Sequence, residues 1–291
     1  MAGGQVPPPE AMKSGVKGSI VALLVVIVAV IGFVAGAYIG GPLLGTSKSS
    51  GEKTTVVVGT NTPFPPMEFR NLTSGNLEGL DIDLMNEIGS RNNWNVVWRD
   101  FQDWDALLAA IKFGGVDIGA SSITMSGSVG AQRNDSFKFS EPYYLANQAV
   151  LVKTGSTAVT CPTGQCNESN LANKTVATQT LTTSYWWVQG NLVETGITPS
   201  SMVSDFGSVS QVIQELLNNR VQWVLVDKPI AENLVAGNSQ LTIAGTIITN
   251  ELYGFAAAKA DPLHLIPLIN NALDSMRQDG TFDRIMHKWL G

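Results

Sequence analysis

The chain has 291 residues, of which 44% are hydrophobic and 14% are charged, and its net charge is −6. The length allows two domains, and the composition is typical of a globular chain with an added hydrophobic segment rather than of a disordered chain. The acidic balance argues against the basic face that nucleic-acid binding requires, so we expect no nucleic-acid partner.

The N-terminal region predicts a membrane anchor. Residues 1–18 are polar, and residues 19–45 carry no charged side chain over a length greater than the roughly 20 apolar residues that a bilayer span needs. Lysines precede this segment and none follows it closely, which predicts a cytoplasmic tail at 1–18 and an extracytoplasmic soluble part. The alternative is a cleaved signal peptide, because Ala35-Gly36-Ala37 resembles a cleavage site. The apolar run is longer than a signal core, so we favour a single-pass protein of the cell membrane.

Three glycines of the predicted anchor, Gly32, Gly36 and Gly40, recur every fourth residue and therefore share one helix face. Such a face lets two membrane helices pack closely, which allows an anchor-mediated homodimer. Glycine is also common in membrane helices that do not pair, so the homodimer is one of two interpretations. A linker rich in Ser, Gly and Lys follows at residues 46–53.

The sequence after the linker alternates apolar strand patterns with amphipathic helix patterns. Leu80, Leu84 and Ile88 have helical spacing, and Gly114-Gly115 ends a second helix. The order strand, helix, strand, helix, strand is typical of a parallel α/β sheet. The predicted elements of this half are strands at 54–59, 95–98 and 116–120, a turn and helix at 77–88, and a helix at 104–113.

The second half repeats this alternation. When Val116 is aligned with Val221, two similar helix-strand units superpose and Ser122 stands opposite Asp227. Each would lie at the carboxyl end of a strand, where open α/β sheets bind ligands, so we expect two lobes that face each other across a cleft. The predicted elements here are strands at 148–153, 175–178, 221–226 and 252–258 and helices at 185–193, 208–219, 229–235, 262–277 and 282–290.

The stretch Gly119-Ala-Ser-Ser-Ile-Thr124 has the features of an anion site. An apolar strand ends there in small hydroxyl residues, and Arg133 follows. Backbone N–H groups and hydroxyls can hydrogen-bond a carboxylate, and a guanidinium adds a bidentate charged contact. The competing interpretation is a strand-to-loop turn followed by a solvated surface arginine.

The two cysteines, Cys161 and Cys166, lie five positions apart. No second cysteine pair and no histidine cluster accompanies them, so a zinc site is disfavoured. In an extracytoplasmic domain, a small loop closed by a disulfide is the better interpretation.

A set of short motifs occurs in a fixed order along the soluble part. They are Val58-Gly-Thr-Asn-Thr-Pro-Phe-Pro-Pro-Met-Glu-Phe69, Gly79-Leu-Asp-Ile-Asp-Leu84, Trp104-Asp-Ala-Leu107, Ser122-Ile-Thr124, Phe139-Ser-Glu-Pro-Tyr-Tyr144, Val226-Asp-Lys-Pro229, Tyr253-Gly254 and the closing Asp279-Gly-Thr-Phe-Asp283 to Lys288-Trp-Leu-Gly291. With this set, the soluble part resembles the amino-acid-binding class of extracytoplasmic solute-binding proteins, the receptor subunits of ABC importers.

The resemblance implies a two-lobed α/β fold of the periplasmic-binding-protein type II class, with a ligand cleft between the lobes. Lobe 1 would comprise residues 54–147 plus 252–291, and lobe 2 residues 148–251. The protein would bind a free amino acid, without a cofactor or a metal, and deliver it to an ABC permease.

The family's ligand-binding positions can be transferred to this chain. They are Asn61 for the ligand side chain, Phe64 and Trp104 as aromatic walls, the backbone near Ala120 with Ser122, Arg133 and Thr183 for the α-carboxylate, and Asp227 for the α-ammonium. A buried zwitterion needs both charges matched, which an arginine on one side and an aspartate on the other would supply. The alternatives are that Trp104 belongs to the core, that Phe64 plugs a loop and that Asp227 caps the helix after it.

The sequence departs from the family pattern at three positions. Relatives usually have glycine where Leu181 stands, and they place the arginine three residues after the threonine, whereas Arg133 follows Thr124 by nine. The added residues between them predict a flexible segment beside the pocket. Asn61 stands where some relatives have an acidic residue, so we expect an amino acid with a neutral polar or apolar side chain.

Two other functions share this fold. An enzyme such as a dehydratase needs acid/base residues, and Glu68 and Glu141 are the candidates near the site, although both fit loop roles; His264 and His287 lie in the terminal helices. A ligand-sensing domain that acts through a partner is the other alternative. We expect a binding protein rather than an enzyme.

Overall fold

The structure is a computed structural model that describes residues 53–291. The predicted tail, the predicted membrane span at 19–45 and nearly all of the predicted linker lie outside the described residues. Within residues 53–291, no helix combines the length and the apolar character that a membrane crossing requires.

The described chain alternates strands and helices over most of its length. The strands are β1 (Thr54–Asn61), β2 (Phe69–Arg70), β3 (Leu77–Glu78), β4 (Trp94–Phe101), β5 (Ile118–Gly119), β6 (Phe137–Phe139), β7 (Tyr144–Lys153), β8 (Val176–Gln179), β9 (Val203–Phe206), β10 (Trp223–Asp227), β11 (Leu241–Tyr253) and β12 (Ala256–Ala258). The helices are α1 (Leu80–Arg91), α2 (Trp104–Lys112), α3 (Gly127–Asn134), α4 (Glu168–Leu171), α5 (Thr183–Val188), α6 (Val209–Leu217), α7 (Lys228–Gly237), α8 (Leu265–Gln278) and α9 (Thr281–Leu290). A π-helical turn, Gln189–Val193, extends α5.

Two five-stranded sheets form the centres of two lobes. The first sheet has the order β4-β1-β5-β12-β6, and the second has the order β11-β7-β10-β8-β9. In the first sheet β1 pairs in parallel with β4 and β5, while in the second β8 pairs in parallel with β9 and β10. The prediction of a two-lobed α/β fold is confirmed.

The chain crosses between the lobes at two adjacent places. The paired strands β7 and β11 begin and end there, with Tyr253 opposite Tyr144, and Tyr143 donates its backbone N–H to the Tyr253 carbonyl at 3.0 Å. The predicted lobe limits, after residues 147 and 251, fall inside these two strands. Two neighbouring crossings of this kind allow one lobe to rotate against the other.

Helix α6 shows how the local sequence positions the site. Ser208 and Gln211 form a reciprocal capping box that fixes where the helix begins. Val209, Val212 and Leu216 recur at helical spacing and are buried. Two of them, Val209 and Val212, line the cleft between the lobes, so the cap and the apolar stripe together place this wall.

Several elements differ from the sequence-based prediction. The strand predicted at 116–120 is limited to β5, and β11 begins eleven residues before the strand predicted at 252–258. Strands β6 and β9 were not predicted, because each has only three or four residues and no clear alternation. The helix predicted at 185–193 changes from α to π geometry at Gln189.

Candidate functional site

The cleft between the lobes contains the predicted binding residues. It lies beyond the carboxyl ends of β1 and β5 on one side and of β8 and β10 on the other. Seven of the eight line one cavity, namely Asn61, Phe64, Trp104, Ser122, Arg133, Thr183 and Asp227. The eighth, Ala120, is fully buried and gives its N–H to the Gly59 carbonyl at 2.9 Å, so its amide belongs to the sheet.

Helix α3 brings Arg133 to the cleft, which corrects the prediction of a flexible segment. The added residues after Thr124 fold into this helix instead of extending as a loop. Gly130 permits the fold, because a Cβ at this position would lie 2.1 Å from the backbone carbon of Met125. Arg133 Nη1 donates to the Thr124 carbonyl at 3.0 Å. The helix therefore brings the arginine side chain back to Thr124, although nine positions separate the two residues in sequence.

Arg133 is 8% exposed, and its guanidinium carbon lies 5.4 Å from the centre of the Trp104 ring. Its Nη2 donates to the Leu181 carbonyl at 3.1 Å, and no direct hydrogen bond joins it to Ser122 within residues 53–291. Burial lowers the pKa of Arg133 to about 10, while Glu251 and Asp227 oppose the change, so the group remains cationic at neutral pH. Two of its five N–H groups meet these carbonyls, which leaves a donor surface for an anion.

Asp227 ends β10 and precedes α7, but its side chain does not cap that helix. Its Oδ1 accepts from Gln148 Nε2 at 2.5 Å, and its Oδ2 accepts from the Tyr253 hydroxyl. Burial and the nearby Glu251 raise the pKa of Asp227 to about 7, against the hydrogen bonds and Arg133. The carboxylate is therefore held in one orientation by groups other than the helix, and it lines the cavity.

Glu251 is a buried member of the site that the sequence did not indicate. It is 3% exposed and accepts from Thr124 Oγ1 at 3.0 Å, from Gln148 Nε2 at 2.8 Å and from Thr249 Oγ1 at 2.7 Å. Gln148 of β7 thus donates to Asp227 of β10 and to Glu251 of β11, the two strands that flank β7. The sequence offered one indication of this site: Gln148 and Glu251 lie inside apolar strands, where a buried polar group requires a hydrogen-bond partner.

A pair of amides joins the two lobes across the cavity. Asn61 Oδ1, on lobe 1, accepts from Gln179 Nε2, on lobe 2, at 3.1 Å, and Asn61 Nδ2 donates to the Phe101 carbonyl at 2.8 Å. Phe64 and Trp104 line the same cavity. These residues therefore add apolar walls and amide groups to the cavity, whose cationic side chain among the described lining residues is Arg133. Gln179 was not predicted, because it ends a strand like many unrelated polar residues.

Leu181 takes the left-handed backbone conformation, with φ of 58°, in which glycine is usual. Its carbonyl accepts from Arg133 and, at 3.4 Å, from Trp104 Nε1, both of lobe 1. Thr183 Oγ1 donates to Thr124 Oγ1 at 3.0 Å. The loop before α5 therefore meets lobe 1 directly, even though leucine replaces the glycine of the family pattern.

Two further carboxylates lie beneath Ser122. Its backbone N–H donates to Asp81 Oδ2 at 2.8 Å, and its Oγ donates to Glu68 Oε2 at 3.3 Å. Ser122 itself has φ of 50°, a strained conformation for serine that turns the two groups towards these partners. Glu68 lies in the loop between β1 and β2, as predicted, but it is 1% exposed and lines the cavity, whereas Glu141 is a surface residue paired with Arg277.

The cysteines and the metal question are separate from the cleft. Cys161 and Cys166 form a disulfide in lobe 2, as predicted. Across residues 53–291, no group of three or more His, Cys, Asp or Glu side chains is arranged to hold a metal ion.

Comparison with known proteins agrees with this geometry. The family described as bacterial extracellular solute-binding proteins, family 3, matches residues 56–291. A probable histidine-binding protein of Neisseria gonorrhoeae is 29% identical over 238 residues, which cover 80% of this chain and 82% of that protein.

Two solved structures have the same fold. An ancestral arginine-binding protein bound to arginine has a TM-score of 0.72 and 32% identity, and covers 82% of this chain and 99% of its own. An ancestral arginine-binding protein bound to glutamine has a TM-score of 0.72, 31% identity and the same coverage of both chains. These relatives are named as binding proteins rather than as enzymes, in agreement with the prediction.

Proposed function

Because the chain belongs to the bacterial extracellular solute-binding proteins of family 3, we propose that it binds a free amino acid between its lobes and delivers it to an ABC permease. The ligand's α-carboxylate would meet Arg133 and the Thr183 hydroxyl. Its α-ammonium would meet Asp227 and the oxygen of Ser122, since both donor groups of Ser122 are directed at carboxylates beneath it.

The observation that carries this proposal is the placement of Arg133 and Asp227 in one buried cavity. A zwitterion removed from water needs an opposite charge at each end, because an uncompensated buried charge costs several kcal/mol. Asp227 belongs to lobe 2 and Arg133 to lobe 1, so one amino acid can bridge the lobes and favour closure.

The preferred side chain is neutral and polar. Asn61 and Gln179 present amide groups to the cavity, and amides can both donate and accept hydrogen bonds. Phe64 and Trp104 would hold the aliphatic part of the ligand on each side. The presence of an amide at position 61 instead of a carboxylate is what favours a neutral over a cationic side chain.

The cellular context follows from the sequence outside the described residues. The uncharged run at 19–45 would anchor the receptor in the cell membrane, which keeps it close to the permease at a high local concentration. Its glycine face would allow two anchors to pair. Purification of the protein from membranes, followed by N-terminal sequencing, distinguishes the anchor from a signal peptide cleaved near residue 37.

A thermal-shift screen with the twenty common amino acids tests the ligand class. A ligand at 100 times its Kd stabilises the fold by about 2.7 kcal/mol, which is readily detected. We expect the largest shift with an amino acid such as L-glutamine. A larger shift with L-arginine or L-lysine moves the assignment to cationic amino acids, and a shift with sugars or peptides alone refutes the amino-acid class. Recovery of the amino acid chemically unchanged is the outcome that separates binding from catalysis.

A further inference from the structure

Four carboxylates and one guanidinium are buried together around the cleft. Glu68, Asp81, Asp227 and Glu251 are 1%, 0%, 9% and 3% exposed, and Arg133 is 8% exposed. If every group were ionised, four negative charges would face one positive charge, and a neutral zwitterion would not correct the excess. Buried charges without partners are disfavoured so strongly that such groups usually become neutral instead.

Glu68 and Asp81 form the part of this cluster on which no cation within residues 53–291 acts appreciably. Glu68 accepts from the hydroxyls of Ser121 at 2.8 Å and of Ser122 at 3.3 Å. Asp81 Oδ2 accepts from the Ser122 N–H at 2.8 Å and from the Tyr143 hydroxyl at 2.7 Å. Asp81 Oδ1 is buried and has no hydrogen-bond partner within residues 53–291. A buried carboxylate oxygen without a hydrogen-bond partner is costly when it carries charge, so protonation of Asp81 is favoured.

Every other titratable group that faces this pair is acidic or distant. Asp227 faces Glu68 from the end of β10, and Tyr143 faces both from the segment before β7. Glu251 and Tyr253 of β11 and Arg133 of α3 act on Asp227 rather than on the pair. Among the described residues, the two carboxyl groups therefore share one site without a cationic neighbour to hold both ionised.

The charge environment has a clear direction. Burial raises the pKa of Asp81 to about 7, against the hydrogen bonds from Ser122 and Tyr143. Burial, followed by the charge of Asp81, raises the pKa of Glu68 well above its ordinary value. Because the two groups interact, their protons belong to the pair rather than to either residue.

We propose that the Glu68–Asp81 pair holds a proton at neutral pH and releases it when an amino acid binds in the cleft. This inference rests on the proposed function, in which the ligand's α-ammonium lies against Ser122 and Asp227. The link is the Ser122 hydroxyl. When Glu68 is ionised, this hydroxyl donates to it and turns its lone pairs towards the ammonium. When Glu68 is protonated, it competes as a donor for the same oxygen.

The direction of the pH effect follows. The bound state carries fewer protons than the free state, so affinity rises with pH until the free pair is itself ionised. For each proton released, the Kd falls up to tenfold per pH unit. Asp227 also has a raised pKa and contacts the ammonium directly, so part of any proton release belongs to it.

Isothermal titration of the full-length protein with L-glutamine and with L-arginine tests this coupling. Each titration is run at pH 6, 7 and 8 in phosphate and in Tris, whose different ionisation enthalpies give the number of protons exchanged. We expect release of about one proton or more at pH 7 and a lower Kd at pH 8 than at pH 6. Glu68→Gln and Asp81→Asn should each reduce the release, and Glu194→Gln, an exposed carboxylate of lobe 2, should leave it unchanged.

The outcomes separate the two proposals. Binding with no proton exchange and with a Kd independent of pH overturns the inference and leaves the receptor function standing. Release that is unchanged in both Glu68→Gln and Asp81→Asn removes the pair as its source. If no amino acid binds, the proposed function fails, and the pair is judged by carboxyl carbon NMR titration of the unliganded protein. Two carboxyl groups that titrate near pH 4 would then overturn the inference.

Discussion

Asp227 and Asp81 are both buried carboxyl groups of the cleft, and burial raises the pKa of each to about 7. They differ in their neighbours. Both oxygens of Asp227 accept hydrogen bonds, and Arg133 acts on it, whereas one oxygen of Asp81 has no partner within residues 53–291. Burial alone therefore does not distinguish their roles.

The difference lies in what each group gains from a ligand. Asp227 lines the cavity, and in the proposed function it would meet the α-ammonium directly, so its charge would serve binding. Asp81 does not line the cavity and lies behind Ser122, so in the proposed function a ligand would affect it only through the hydrogen bonds of that serine. In the two proposals, Asp227 would hold the ligand's ammonium, and Asp81 would belong to a proton-holding pair that responds to ligand binding.

Removal of the positive charge of Arg133 should have the largest effect on ligand binding. Arg133→Ala leaves the ligand carboxylate and Asp227 without their positive partner, and loss of one partner of a buried ion pair costs roughly 3–5 kcal/mol. We expect the Kd for the amino acid identified in the thermal-shift screen to rise by two orders of magnitude or more. Arg220→Ala, an exposed arginine paired with Glu215, is the matched control. Unchanged binding in Arg133→Ala would remove Arg133 from the site.

Neutralisation of Asp227 should have the next largest effect. Asp227→Asn keeps the shape and the contact with Tyr253 but removes the charge opposite the ammonium. A hydrogen bond to a charged group contributes about 1.5–3 kcal/mol, so the Kd should rise roughly tenfold to a hundredfold. Circular dichroism checks that the variant is folded, and Glu194→Gln is again the control. A Kd that changes less than twofold would show that Asp227 does not meet the ammonium.

The stability of the unliganded protein should depend on pH through Asp81. A pKa raised in the folded state means that the folded protein holds more protons than the unfolded chain between about pH 4 and pH 7. The free energy of unfolding should therefore fall as pH rises through this window, by up to about 1.4 kcal/mol per pH unit for each proton. Asp81→Asn should flatten the slope in urea unfolding experiments at pH 5, 6 and 7. An equally steep slope in Asp81→Asn would contradict the assignment.

Thr183→Val should have the smallest effect. It removes one hydroxyl that contacts Thr124 across the cleft and that would donate to the ligand carboxylate. A neutral hydrogen bond contributes about 1 kcal/mol, so we expect a Kd roughly fivefold higher with little change in melting temperature. Thr195→Val, at an exposed position of lobe 2, serves as the reference. An effect as large as that of Arg133→Ala would mean that the loop before α5, and not α3, carries the anion site.

Sequence periodicity was sufficient where a segment is long and amphipathic. Helices α1, α2, α6 and α9 begin within three residues of the predicted starts, because apolar spacing and helix-end residues mark them locally. It was insufficient for β5, where two residues of strand are defined only by pairing with β1 and β12. Short strands depend on their neighbours, which no local pattern records.

The sequence by itself indicated the two charged residues on which the proposed binding mode depends. Ordered motifs indicated Arg133 and Asp227, and the structure brings both to one cleft. Position at a strand end pointed to Asp227, since the carboxyl ends of parallel strands meet at one edge of a sheet, whereas the role of Arg133 rested on the resemblance to the family.

Only the tertiary structure decided how those charges are held. The added residues before Arg133 became a helix because Gly130 packs on Met125. Glu68, Asp81 and Glu251 became buried neighbours of the cleft although they lie far apart in sequence, in a loop, in α1 and in β11. The sequence does not distinguish a solvated carboxylate from a buried one. The pKa and the role of such a group depend on its surroundings, which form only when the lobes pack.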